Sequence, residues 1–221
     1  MDYEIDLQTI QISGYKDILK KQKLMASRRI LKENIDDIFE QLAKSGITNV
    51  AELTEAINDS PKAEELAAQT GIPWEYLMIL SREISGLILK PVLIADFPYV
   101  LPETFKILGE CCIQSSKDFF ELSNGGSDLK GVCAKTGISE EAALELGSMC
   151  DLIRINGVGP IFARILFEAG ITSVNKFATM DAETIYNKVT EINEVKKYTR
   201  VMLEKNEIQL CLDFAKLITR H

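Results

Sequence analysis

Apolar residues recur along most of this chain at the three-and-four spacing of a helix face. Ile35, Ile38, Phe39 and Leu42 follow that spacing until Gly46 interrupts it. Ser60-Pro61 reads as an N-cap with a proline in the first turn, which predicts a helix running to Thr70 and closed by Gly71. Pro73 predicts another helix start, with Trp74, Leu77, Met78 and Ile84 as its apolar positions. Ser139 and Asp181 predict two more caps, the first followed by Glu140-Glu141, whose charges suit the positive end of a helix. Ile208, Cys211, Leu212, Ala215 and Ile218 share one face of a last helix. Only DYEIDLQTIQI, residues 2–12, alternates like a strand, and one strand has no evident partner. The predicted class is all-α.

The pattern also repeats. Shifted by 66 residues without a gap, Ile47–Ile84 lies on Ile113–Cys150 with nine of 38 positions identical, including Ala68, Thr70, Gly71 and Ile72 on Ala134, Thr136, Gly137 and Ile138. A shift of 58 sets Ala95–Ile113 on Ile153–Ile171, and SGITNVAEL at Ser45–Leu53 returns as AGITSVNKF at Ala169–Phe177. The reading is of repeated short helical units in two related halves, residues 1–89 and 90–221, meeting near Leu89–Pro91. The bland account of such matches is chance likeness between amphipathic helices, which an ungapped register of this length disfavours.

Composition narrows the function. The chain has 221 residues, 46% of them hydrophobic, and a net charge of −8, which excludes a uniformly basic surface for nucleic acid or membrane. Its single histidine is the last residue, so the usual carrier of general-base and zinc chemistry is missing from the interior of the sequence. The five cysteines fit neither a disulfide framework nor a zinc spacing, and read as small buried apolar residues in a reducing compartment. The start of the chain lacks the basic and apolar regions of a leader, and the longest apolar-rich stretch, Gly86–Ala95, is broken by Lys90-Pro91. A cytoplasmic protein with no membrane association, no metal and no cofactor is the expectation. Charge is uneven, however. Lys16–Lys32 holds Lys16, Lys20, Lys21, Lys23, Arg28, Arg29 and Lys32 against Asp17 alone, a local +6 that leaves −14 on the rest. Such a strip is either a solvated helix face or a contact for an anionic partner.

One motif carries a mechanism. Asp151–Ile171 reads DLIRINGVGPIFARILFEAGI, in which Asn156, Gly157, Val158 and Gly159 join an apolar helix to one opened by Pro160. This resembles a helix-hairpin-helix motif, whose glycines admit positive φ and whose amides form a small anion-binding concavity at a helix start. The resemblance implies a hairpin that holds a nucleic-acid phosphate oxygen without reading sequence, with Arg154 and Arg164 nearby. Members that bind DNA often carry Lys or Arg just after the second glycine, where this chain has Pro160-Ile161-Phe162. The matching hairpin of the other copy, Phe97–Pro102, has Tyr99 and Leu101 in place of the glycines, so it is expected not to cradle a phosphate in that way. The tight-turn reading, in which Gly-Val-Gly only packs two helices, stands beside the phosphate reading. AKTGIS at Ala134–Ser139, RINGVGPIFARIL at Arg154–Leu166, EINEVKKYTR at Glu191–Arg200 and KQKLMASRRILKENIDD at Lys20–Asp37 together resemble a bacterial family of unknown function built from helix-hairpin-helix-related repeats.

No catalytic residue is expected. Helix-hairpin-helix glycosylases place an aspartate about twenty residues after the hairpin. Asp181 falls there, but in TMDAETIY helix capping accounts for it, and the lysine of the lyases is missing. The expectation is a non-catalytic binding protein. Arg154, Asn156, Gly157, Val158, Gly159 and Arg164 would contact a nucleic-acid backbone, assisted by Lys16, Lys20, Lys23, Arg28 and Arg29 of the basic strip. The alternative is an adaptor of helical repeats whose strip meets an acidic protein surface.

Overall fold

Several helix starts in this chain are capped by side chains, and the computed structural model, which describes residues 3–201 and 203–219, shows how. Ser139 accepts the Ala142 amide and Asp181 that of Thr184, each heading a helix as the sequence predicts. The cap before Pro61 falls one residue earlier than predicted. The Asp59 carboxylate takes the Lys62 amide, and Ser60 becomes the first helical residue. A carboxylate is the stronger acceptor for a free helix amide, because it also meets the positive end of the dipole.

The described residues form thirteen α-helices: α1 Ile12–Lys21, α2 Ile35–Lys44, α3 Val50–Ala56, α4 Ser60–Thr70, α5 Trp74–Ile84, α6 Pro102–Glu110, α7 Ser116–Leu122, α8 Leu129–Thr136, α9 Glu140–Leu152, α10 Pro160–Glu168, α11 Val174–Ala178, α12 Ala182–Lys196 and α13 Lys205–Ile218. Single-turn or longer 3-10 segments occupy Ala26–Lys32, Ser85–Leu87 and Ile94–Asp96. The class is all-α. Over its described residues, 3–12, the alternating stretch near the start forms no strand. Asp6 closes a turn by accepting the Gln8 amide at 2.9 Å, and only an isolated bridge between Gln11 and Asn49 follows.

Three helices end in one manner. After α2, α6 and α10, Gly46, Cys112 and Gly170 take φ of 93°, 60° and 77°. The next amide, of Ile47, Ile113 or Ile171, then reaches back to the carbonyl of Leu42, Leu108 or Leu166. This closure satisfies carbonyls that a helix end leaves free. Cys112 holds the left-handed backbone with a side chain attached, and both Cys111 and Cys112 are exposed. That corrects the expectation of uniformly buried cysteines, which fits only Cys150 and Cys211. The αL residue must follow the helix end, and there its side chain turns outward.

The chain divides into two compact units. In the first, Ile5–Ile88, α1 packs on α2 and α3, and α5 packs on α4 and the 3-10 segment Ala26–Lys32, around Leu19, Leu31, Leu42, Leu53, Leu77 and Leu80. The second runs from Leu89 onward and includes Tyr3 and Glu4 from the start of the chain. Its α9 is surrounded by α7, α8 and α10, while α13 packs on α11 and α12. Phe119, Phe120, Leu146, Leu152, Leu166 and Phe177 form its core.

Candidate binding hairpin and the loop beside it

The hairpin at Asn156–Gly159 lies between α9 and α10 in the second unit. After α9 the amides of Arg154 and Ile155 fold back on the carbonyls of Asp151 and Leu152 at 3.1 and 3.0 Å, and Val158 donates to the Ile155 carbonyl at 2.9 Å. Ile155 and Val158 are buried and pin the turn, whereas Gly157 and Gly159 are exposed and Asn156 half-buried. Gly157 needs its missing side chain twice over. Its φ is 93°, and a Cβ there would stand 2.9 Å from the Cys211 sulfur of α13. Gly159 sits in extended backbone with open space around it, as the N-cap before Pro160. The amides of Gly159 and Ile161 donate to no backbone carbonyl among the described residues.

The two arginines beside the hairpin turn inward. Arg154 is 4% exposed: its Nε donates to the Tyr3 carbonyl at 3.0 Å, and Nη1 meets Asp151 at 2.7 Å. Its guanidinium also lies 4.6 Å from the centre of the Phe120 ring. Asp151 in turn accepts the Val174 amide at 2.8 Å, so one buried ion pair ties α9 to the start of α11. Arg164 is 3% exposed and donates twice to the Pro98 carbonyl, at 3.0 and 2.8 Å, while pairing with Glu145. Both side chains therefore hold the hairpin in place, and their charge is spent on protein carbonyls and carboxylates.

Arg164 links this hairpin to the other one, Pro98–Leu101. There Tyr99 has φ of 64° at the position corresponding to Gly157, and Leu101 is the extended N-cap corresponding to Gly159. A non-glycine residue in that backbone region costs about 1–2 kcal/mol. Its ring packs edge-on against Tyr198, with centroids 5.1 Å apart.

Tyr198 belongs to a loop that the sequence reading uses only as part of a resemblance. The loop leaves α12 through Lys197, at φ of 56°. Asn193 grips it at both backbone groups of Thr199, each at 3.0 Å. The Tyr198 hydroxyl donates to Glu168, and burial together with that carboxylate pushes its pKa up to about 12. Lys197 and Arg200 are exposed, with no ion-pair partner among the described residues. Between this loop and α10 runs a groove of about 240 Å³, walled chiefly by Gly159, Ile161, Phe162, Ile165, Val201 and Leu203. No periodicity announces Lys197–Leu203. The available signal is the basic run Lys196-Lys197 followed by Arg200, just after a helix.

The basic strip lies in the first unit, on α1 and the following 3-10 segment. Lys16 and Lys20 share Asp36 at 2.9 and 2.6 Å, and these hydrogen bonds hold the Asp36 carboxyl below the usual range. Arg28 pairs with buried Glu83, which also accepts from Gln22 at 2.9 Å. Lys32 donates to the Lys20 carbonyl. Lys23 and Arg29 are the exposed members with no such partner among the described residues. Asp181, the position of a glycosylase aspartate, accepts the Thr184 amide and hydroxyl at 2.8 and 2.7 Å as a helix cap. Among the described residues no cluster of three metal-ligating side chains occurs, and no helix is long and apolar enough to cross a membrane.

No curated protein and no solved structure matches the chain. A family profile does, the one described as Domain of unknown function (DUF4332), over residues 98–216. That stretch begins at the Pro98 hairpin, takes in the Asn156–Gly159 hairpin and the loop after α12, and ends within α13. It spans more than half of the sequence, and the chain belongs to the DUF4332 family.

Proposed function

We propose that this protein is a non-catalytic binding module, a helix-hairpin-helix-type chain of repeated helical units, whose surface around its two hairpins engages another protein. The carrying observation is how side chains divide there. Arg154 and Arg164 turn inward, whereas Tyr99, Leu101, Ile161 and Val201 are 71, 59, 46 and 83% exposed. Large apolar side chains exposed on a surface, two of which, Ile161 and Val201, wall one groove, favour a protein interface, and phosphate backbone offers them nothing to bury against. Pro160-Ile161-Phe162 stand where DNA-binding members of the resembled motif often carry Lys or Arg. The shared closure after α2, α6 and α10, and the shared backbone at Tyr99 and Gly157, support the repeat reading.

A second reading keeps one observation of its own. The open amides at Gly159 and Ile161, with Lys197 and Arg200 on the neighbouring loop, favour contact with nucleic-acid phosphates without sequence preference, to which Lys23 and Arg29 would add in their own unit. Salt-titrated binding to duplex DNA, single-stranded DNA and RNA separates the two readings, combined with a photo-crosslinking residue at position 161 in cells. Discrete protein adducts, lost on Val201→Asp, with nucleic-acid binding no tighter than about 10⁻⁴–10⁻⁶ M, are expected. Tight, steeply salt-dependent binding of any nucleic acid that Gly159→Asp abolishes would overturn the protein reading in favour of the second.

A further inference from the structure

Resting on that protein-binding reading, we infer that the groove between α10 and the Lys197–Leu203 loop takes an acidic peptide segment of a partner, which inserts one or two apolar side chains. Size is the first argument. At about 240 Å³ the groove falls below the roughly 300–1,000 Å³ of small-molecule sites, and it suits side chains better than a cofactor. The second is the walls. Ile161, Phe162, Ile165, Val201 and Leu203 offer apolar contact, and none of the lining residues is charged.

Charge on the rim specifies the occupant further. The second unit carries 15 basic and 20 acidic residues, yet the loop bordering the groove presents Lys197 and Arg200 to solvent. Of the carboxylates nearby, Glu168 holds Tyr198 and Lys196, and Glu204 and Glu207 cap α13, while exposed Glu194 on α12 forms no ion pair with Lys197 or Arg200 among the described residues. The local positive charge is thus left for a partner, and an acidic flank complements it. Preorganisation is the third argument. Asn193 and Glu168 hold Thr199 and Tyr198 at the head of the loop before any partner arrives, which lowers the ordering cost of docking there.

The test uses the full chain and labelled helix-forming peptides of about sixteen residues, carrying leucines at i and i+4 between glutamates. Matched peptides replace the glutamates by lysine or the leucines by serine, and a dT strand serves as the nucleic-acid probe. Fluorescence anisotropy is expected to show saturable binding of the acidic leucine peptide alone. Ile161→Asp and Val201→Asp should each weaken it about tenfold, and Lys197→Glu with Arg200→Glu severalfold. All four residues are exposed, so thermal melts of the variants should match the parent. Equal binding of the lysine peptide overturns the acidic partner and leaves the protein-binding face standing. Self-association without peptide, abolished by Ile161→Asp, makes a second copy the occupant and overturns the inference. Binding of dT in preference to every peptide overturns both readings, and failure of every peptide to saturate overturns this one.

Discussion

Two glycines two residues apart do different work, and substitution separates them. Gly157→Ala meets a left-handed backbone and the Cys211 sulfur together, and is expected to destabilise by about 2–3 kcal/mol in urea unfolding. Gly159→Ala meets neither, and should cost less, about 0.5–1 kcal/mol, because alanine is a poorer N-cap than glycine. Adding Cys211→Ala to Gly157→Ala should not recover the backbone part of the loss. Equal costs for the two glycines would mean that the hairpin backbone is not held as described. In the first unit a different residue carries an avoidable cost. Tyr15 is buried against Phe39, its hydroxyl has no hydrogen-bond partner among the described residues, and burial raises its pKa well above the ordinary value. Tyr15→Phe is therefore expected to leave stability unchanged or raise it by up to about 1 kcal/mol. A loss larger than that would reveal a partner for the hydroxyl.

At the scale of elements, the caps make stability depend on pH in a definite direction. Asp181 is held below the usual carboxylate range, first by the Thr184 amide and then by its hydroxyl. A depressed folded pKa means that the cap contributes above the unfolded value, near 3.9, and is lost as pH falls through the folded one. Between pH 7 and about pH 2, Asp181→Asn should lose less stability than the parent, because the amide oxygen still accepts the hydrogen bond. Circular dichroism of urea unfolding at both pH values measures this, and an equal acid loss in both chains would remove Asp181 from the account. These caps are local features, which is why Ser139, Asp181 and Gly71 were legible in sequence. The hairpin backbone at Gly157 was legible for the same reason. The direction of Arg154 and Arg164 was not, although Asp151 lies only three residues before Arg154. Their other partners, the Tyr3 and Pro98 carbonyls, are distant in sequence, and a helix-face pattern says nothing of which cation finds a distant carbonyl. The loop after α12 was missed because its order comes from one asparagine and one tyrosine, with no period.

The whole molecule shows that chain order and packing order differ. The apolar alternation at residues 2–12 suggested a strand. Its buried members instead serve two units, Tyr3 the one from Leu89 onward and Ile10 and Ile12 the one spanning Ile5–Ile88. Tyr3 is buried against Phe120, with ring centroids 5.5 Å apart, and its hydroxyl meets that of Ser116 at 2.7 Å. Its carbonyl accepts from Arg154, and Glu4 beside it pairs with Lys117. The same Arg154 holds Asp151, whose other oxygen caps α11. Removing the Tyr3 side chain therefore opens a cavity next to the ion pair that anchors the helix before the hairpin. Tyr3→Ala is expected to destabilise the second unit by about 3–5 kcal/mol, the usual cost of losing a large buried ring. Hydrogen exchange provides the residue-resolved check. Protection should fall first at the amides of Ser116 and Val174, which lie at the two helix starts that Tyr3 and Asp151 reach. A loss confined to Ile5–Ile88, or none at Val174, would show that Tyr3 does not support the hairpin's anchor.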